Sequence, residues 1–114
     1  MILKYTPEFR RDLRTEKAYY INHDAVQYAN EIGKKILSAC ANLKEYPHYG
    51  ESVAERFDID TDMMYFVVGR YMIFYRIEAD VIEIVRLFNT QTNILFRMFG
   101  IDSTDYESEA YWDE

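Results

Sequence analysis

The side chains able to do chemistry in this sequence are few, and their types exclude most reactions. His23 and His48 stand in turn-like stretches far apart, with no serine or cysteine set for nucleophilic attack beside either. The one cysteine, Cys40, falls on an apolar stripe, where a thiol packs as a small core residue. Two histidines and one cysteine give no metal-ligand spacing, so neither metal nor cofactor is expected. What remains is cationic and amidic. Arg56, Arg70, Arg76 and Arg86 come from the strand-rich second half, where they could line a groove for an acidic partner. They could equally be solvent-facing strand residues beside Glu55, Glu78 and Glu83. Arg86, set between Val85 and Leu87 in an apolar run, is the one expected to have a specific partner. The corner Phe88-Asn89-Thr90-Gln91-Thr92-Asn93 is nearly all uncharged hydrogen-bonding side chains. It can be a recognition surface, or a set of turn and capping residues. Amides hydrogen-bond but do not serve as general acid or base near neutral pH. The candidate set is therefore one for binding a partner, Arg56, Arg70, Arg86, Asn89, Gln91 and Asn93, with no catalytic residue.

The elements that must position this set read as follows. In Arg70–Ile77, Tyr71, Ile73, Tyr75 and Ile77 share one face by the two-residue period, and Met72, Phe74 and Arg76 the other. Val81–Leu87 repeats the design, with Val81, Glu83, Val85 and Leu87 set against Ile82, Ile84 and Arg86. A tight Glu78-Ala79-Asp80 turn joins the two. Upstream, Met1–Tyr5 is a short strand, and Thr6-Pro7-Glu8 starts a helix with a hydroxyl cap, a proline and an acid. Asn22-His23-Asp24 breaks that helix, and Asp24 is the expected cap of the next. Ala25, Ala29, Ile32, Ile36, Cys40 and Leu43 then recur at three- and four-residue steps. Val53–Ile59 reads as a strand, turning at Asp60-Thr61-Asp62 into Met63–Val68. A short helix is expected around Ile94–Phe99. The class is α+β: a helical hairpin on one face of a mostly antiparallel sheet of four to five strands, the other face open to a partner.

Length and composition agree. With 114 residues and 49% hydrophobic content, residues 1–100 form one domain. No run approaches a membrane span, and the N-terminus is no signal peptide, so a reducing cytoplasm is expected. The net charge of −7 is uneven. Residues 1–100 hold all 13 Lys and Arg and 14 of the 20 acids, whereas residues 101–114 hold six acids and no base. That acidic tail is expected to be flexible, or to dock through Tyr106, Tyr111 and Trp112. A nearly neutral body makes direct nucleic-acid binding a poor expectation.

Over residues 1–100 the sequence resembles the RelE/ParE superfamily of toxin–antitoxin toxins. The likeness rests on Tyr5-Thr6-Pro7-Glu8-Phe9 followed by Asp12-Leu13, on Leu43…Pro47…Gly50, and on Tyr71-Met72-Ile73-Phe74-Tyr75-Arg76-Ile77. Ile82…Ile84-Val85-Arg86-Leu87 completes it and fits the ParE-like branch best. The resemblance implies the toxin of a type II toxin–antitoxin module, neutralised by a cognate antitoxin and acting on a protein target such as DNA gyrase. Other members cut mRNA on the ribosome, and a repurposed, non-toxic binding module is a third possibility. Family members usually carry an arginine where Met72 stands. After the last strand they tend to place a histidine, a basic residue and an acid, where this chain has Asn89, Gln91 and Asn93. RNA cleavage needs basic groups around the scissile phosphate, and this corner has none.

Overall fold

Thr6, with extended backbone, accepts a hydrogen bond from the Phe9 amide at 3.0 Å, and Pro7 takes the first helical position. That local chemistry starts a helix of 16 residues. A computed structural model describes residues 1–100, as strand β1 (Ile2–Tyr5), helices α1 (Pro7–Asn22) and α2 (Val26–Asn42), strand β2 (Glu51–Ser52), helix α3 (Val53–Phe57), strands β3 (Met64–Val68), β4 (Tyr71–Glu78) and β5 (Val81–Asn89), and helix α4 (Ile94–Phe99). The acidic tail, with the expectations placed on it, lies outside the described residues.

The five strands form one sheet in the order β1-β5-β4-β3-β2. β1 runs parallel to β5, and every other neighbouring pair is antiparallel. The α1–α2 hairpin covers one face. Phe9, Ile32, Ile36, Cys40 and Leu43 pack there on Phe66, Tyr71, Ile73, Tyr75, Ile82, Ile84 and Leu87. Gly33 faces α1 closely, since a Cβ there would stand 3.4 Å from the Lys17 Cδ. The α+β expectation, the hairpin and the short last helix all hold.

Four expectations do not. The stretch Val53–Ile59 is not a strand: Ser52 accepts from the Glu55 amide at 3.2 Å, capping α3. Its Ser-x-x-Glu spacing is a helix-start signal, and it overrides the strand-like Val53 and Phe57. Asp24 does not cap α2. It takes a left-handed backbone (φ 58°) in the reversal between the helices, and Ala25 precedes α2 with no side-chain cap. The second sheet face is not open. Val53, Met63, Tyr65, Phe74 and Phe88 are buried on it, with Phe57 and Ile59 packed from the α3 side and Ile94, Met98 and Phe99 from α4. The last difference is a β-bulge. Tyr75 pairs with Ile84 but Phe74 with Arg86, so Val85 is an extra residue that reverses the alternation of β5. Leu87 therefore joins Ile82 and Ile84 under the helices, while Arg86 turns to the face of Phe74.

Candidate functional site

β1 pairs with β5 only as far as Ile84, so the edge of β5 beyond the bulge has no strand neighbour on that side. Helix α1 takes the vacant place. The Thr6 amide donates to the Ile84 carbonyl at 3.0 Å, and the Thr6 hydroxyl donates to the Val85 carbonyl at 2.6 Å. Further along α1, Asp12 receives three hydrogen bonds. The Leu87 amide donates to Oδ2 at 3.0 Å, Arg86 Nε to Oδ2 at 2.7 Å, and Arg86 Nη2 to Oδ1 at 3.1 Å. This fork-on-carboxylate geometry is the strong form of an ion pair. The two side chains are 23% and 14% exposed, for Arg86 and Asp12 respectively, so water screens them only in part.

Beyond that lock, α1, the end of β5 and Arg97 of α4 enclose a cleft of about 220 Å³. Phe88 forms part of its wall and carries two cations, the Arg86 guanidinium 4.5 Å and the Arg97 guanidinium 5.3 Å from its ring centre. Arg11, Thr15, Glu16, Asn89 and Thr92 complete the lining, and no histidine is among them. The cations can bind and orient an anion. The amide of Asn89 can hydrogen-bond but cannot move a proton near neutral pH.

Residues 3–94 match the family model described as ParE toxin of type II toxin-antitoxin system, parDE. The chain belongs to the ParE toxin family. It is therefore the toxin component of a type II toxin–antitoxin system, a family whose members partner an antitoxin. A solved structure of the chromosomal ParDE TA system from P. aeruginosa shares the fold, with a TM-score of 0.66 at 16% identity, covering 78% of this chain and 95% of that one. A search of curated proteins finds no match.

In this ParE-family toxin only part of the expected set comes together. Arg86 has the specific partner its position demanded, and that partner is internal, Asp12. Asn89 lines the cleft, and its Oδ1 accepts from the Gln91 amide at 3.0 Å. Asn93 caps α4 by accepting from the Phe96 amide at 3.4 Å. The Gln91 side chain is exposed. Arg70 is exposed in the β3–β4 turn, where its carbonyl receives the Thr90 amide at 2.8 Å. Arg56 is apart from the cleft, on α3, with its guanidinium 5.3 Å from the Phe57 ring centre. Arg76 lies 3.8 Å from Asp62, and its buried Nε has no hydrogen-bond partner among the described residues.

Four charged residues of the cleft were missed in the sequence, Arg11, Asp12, Glu16 and Arg97. Each reads there as an ordinary helix-surface charge, and only the fold brings them to β5. Cys40 is fully buried, and desolvation pushes its thiol up to about 12, which suits a packing residue and not a nucleophile. His23 stacks on Tyr19 with ring centres 4.3 Å apart, and its Nδ1 lies 2.7 Å from the Tyr19 carbonyl oxygen. No helix among the described residues is long and apolar enough to cross a membrane.

Proposed function

We propose that this toxin acts in the cytoplasm by binding a protein target, DNA gyrase, and does not cut RNA. The observation that carries the reading is the chemistry of the corner after β5. Between Phe88 and Ile94 there is no histidine, lysine or arginine, and Asn89 and Asn93 are committed to a turn and a helix cap. Arg86, the nearest cation on the strand, already neutralises Asp12. Met72, where relatives carry arginine, packs against the second core. Phosphodiester cleavage needs charge placed at the developing transition state, and this corner supports contact better than chemistry.

Among the described residues an apolar groove is open to the antitoxin. With α3 and α4 over the second sheet face, a groove of about 370 Å³ lined by Tyr5, Phe9, Leu13 and Leu37 remains, and Arg10 and Arg14 also border it. Leu37 is 41% exposed there. An amphipathic segment with acids beside its apolar face fits such a groove. Purified toxin should inhibit gyrase supercoiling and leave ribosome-bound message intact, and the protein encoded by an adjacent reading frame should reverse the inhibition. Site-specific cuts in ribosome-bound mRNA, abolished by Arg86→Met or Arg70→Ala, would overturn the reading.

A further inference from the structure

The cleft beside Phe88 offers hydrogen-bond donors and few acceptors. Asp12 is filled, since its two oxygens already accept from the Leu87 amide and from Arg86 Nε and Nη2. Asn89 spends its Oδ1 on the Gln91 amide, so the group it has left to offer is the Nδ2 donor. Arg11 and Arg97 add two guanidinium forks, and Glu16 is the one further acid in the lining. Among the described residues no carboxylate lies within ion-pair distance of Arg11 or Arg97. Both arginines are exposed, and the contact with Phe88 restrains Arg97 at little further cost in side-chain freedom. Helix α1 divides its residues between two surfaces. Arg11, Asp12, Thr15 and Glu16 line this cleft, at steps of one turn, while Arg10, Leu13 and Arg14 border the apolar groove.

On the reading that the toxin binds a protein target, on which this inference rests, we propose that the cleft receives the carboxylate side chains of an acidic loop on that target, met by the Arg11 and Arg97 guanidiniums. A guanidinium meets a carboxylate through two parallel N–H donors, so an aspartate or glutamate answers this lining better than a neutral acceptor does. A nucleic-acid phosphate is the poorer fit. Binding a nucleic-acid backbone takes a run of cations along the strand. Here two exposed arginines flank a cavity of about 220 Å³, on a chain of net charge −7. Attraction between exposed charges fades beyond about 8 Å at physiological salt, so the arginines set which surface can dock at close range. The groove uses the other side of α1, so the antitoxin and the acidic loop meet different residues of one helix.

Charge reversal in the full-length protein tests this. Arg11→Glu with Arg97→Glu should raise the toxin concentration that halves gyrase supercoiling by about tenfold or more, with antitoxin affinity unchanged. Lys35→Glu with Lys44→Glu, an equal change of charge at exposed residues elsewhere, should leave that concentration within about twofold. All four residues are exposed, and unchanged amide shifts away from the substitutions will confirm the fold. A second measurement needs no gyrase. A capped Gly-Asp-Glu-Gly peptide, at a concentration on the order of 10 mM, should shift the amide signals of Arg11, Thr15 and Thr92. Its Gly-Asn-Gln-Gly counterpart should not, and the Arg11 and Arg97 reversal should abolish the response. Wild-type toxin that leaves gyrase untouched while the acidic peptide still seats on the cleft would remove gyrase as the target and keep the carboxylate site. Three results overturn the proposal and leave the target reading standing: inhibition unchanged by charge reversal in an active toxin, loss of antitoxin affinity in place of inhibition, or no shift with the acidic peptide. A stronger response to a trinucleotide of the same charge would overturn it in favour of phosphate.

Discussion

Replacing Asp12 by alanine removes one carboxylate and the three hydrogen bonds it accepts. The Arg86 guanidinium is then left only 23% exposed with no counter-charge, and the Leu87 amide faces the edge of the sheet unpaired. Breaking a fully buried pair from one side costs about 3–5 kcal/mol, whereas an exposed pair is worth about 0–1 kcal/mol. At 14% and 23% exposure the pair sits nearer the buried limit, but the guanidinium keeps its contact with the Phe88 ring and can turn toward water. The loss should therefore be about 2–3 kcal/mol, or roughly 10–15 °C in melting temperature for a domain of this size. Arg86→Met should cost less, about 1 kcal/mol, because the carboxylate keeps the Leu87 amide and lies nearer water. Urea unfolding of both single variants and the double would give a coupling of roughly 1–2 kcal/mol. A loss below about 0.5 kcal/mol for Asp12→Ala would refute the lock between α1 and β5, and would return Arg86 to the set of free, partner-binding cations.

Three further outcomes follow from named contacts. A Cβ at Gly50 would stand 2.5 Å from the Tyr65 carbonyl oxygen and 2.8 Å from the Tyr75 hydroxyl, so Gly50→Ala should destabilise by about 3 kcal/mol or more in chemical denaturation; a loss under about 1 kcal/mol would mean the loop shifts freely. Asn93→Ala should cost about 1 kcal/mol through the lost cap of α4, and Gln91→Ala should stay within about 0.5 kcal/mol, as thermal melts will show. Stability should also fall at alkaline pH. The Cys40 thiol is raised by burial from 9.0 to about 12, and burial raises the hydroxyls of Tyr71 and Tyr75 as well. The folded state favours the protonated forms, so the Cys40 contribution is whole below pH 9 and is lost between pH 9 and about 12, on the order of 4 kcal/mol at the top. Cys40→Ala should flatten that loss below pH 10, and an unchanged slope would exclude the thiol as its source.

Features governed by near neighbours were legible in the sequence. The Thr6-Pro7-Glu8 start, the stripe from Ala29 to Leu43 and the short helix Ile94–Phe99 rest on contacts within a few residues, and all three appear in the fold. Helix α3 was legible too, through Ser52 and Glu55, but the β-forming Val53 and Phe57 suggested a strand instead. The covered second face left a trace that went unread. Met72, Phe74 and Phe88 are apolar on a face assumed to meet only a partner, and strands apolar on both faces belong to a sheet covered on both sides. The bulge at Val85 left no trace, because no glycine or proline marks it. Nor could Asp12 be found from spacing, since it meets Arg86 across 74 residues.

That one extra residue decides what the candidate site is able to do. Without the bulge, Arg86 would share the face of Ile82 and Ile84 and point into the core beneath the helices, where an arginine is costly. With it, Arg86 emerges on the rim of the cleft, close enough to Asp12 to be neutralised and to Phe88 to be held flat. The strand therefore offers a fixed cation already satisfied from within, which stiffens the rim but leaves little charge to spend on a substrate. The unanswered charge stands on the helices, at Arg11 on α1 and Arg97 on α4. An active site for phosphate chemistry would need the reverse, a rigid strand with its cations free and aimed at one point. A rigid neutral rim flanked by exposed helix arginines and amides suits the holding of a surface, and α1 links that rim to the groove at Leu13 and Leu37, so that on the proposed reading a segment lying in the groove and a target meeting the cleft would press on the same helix.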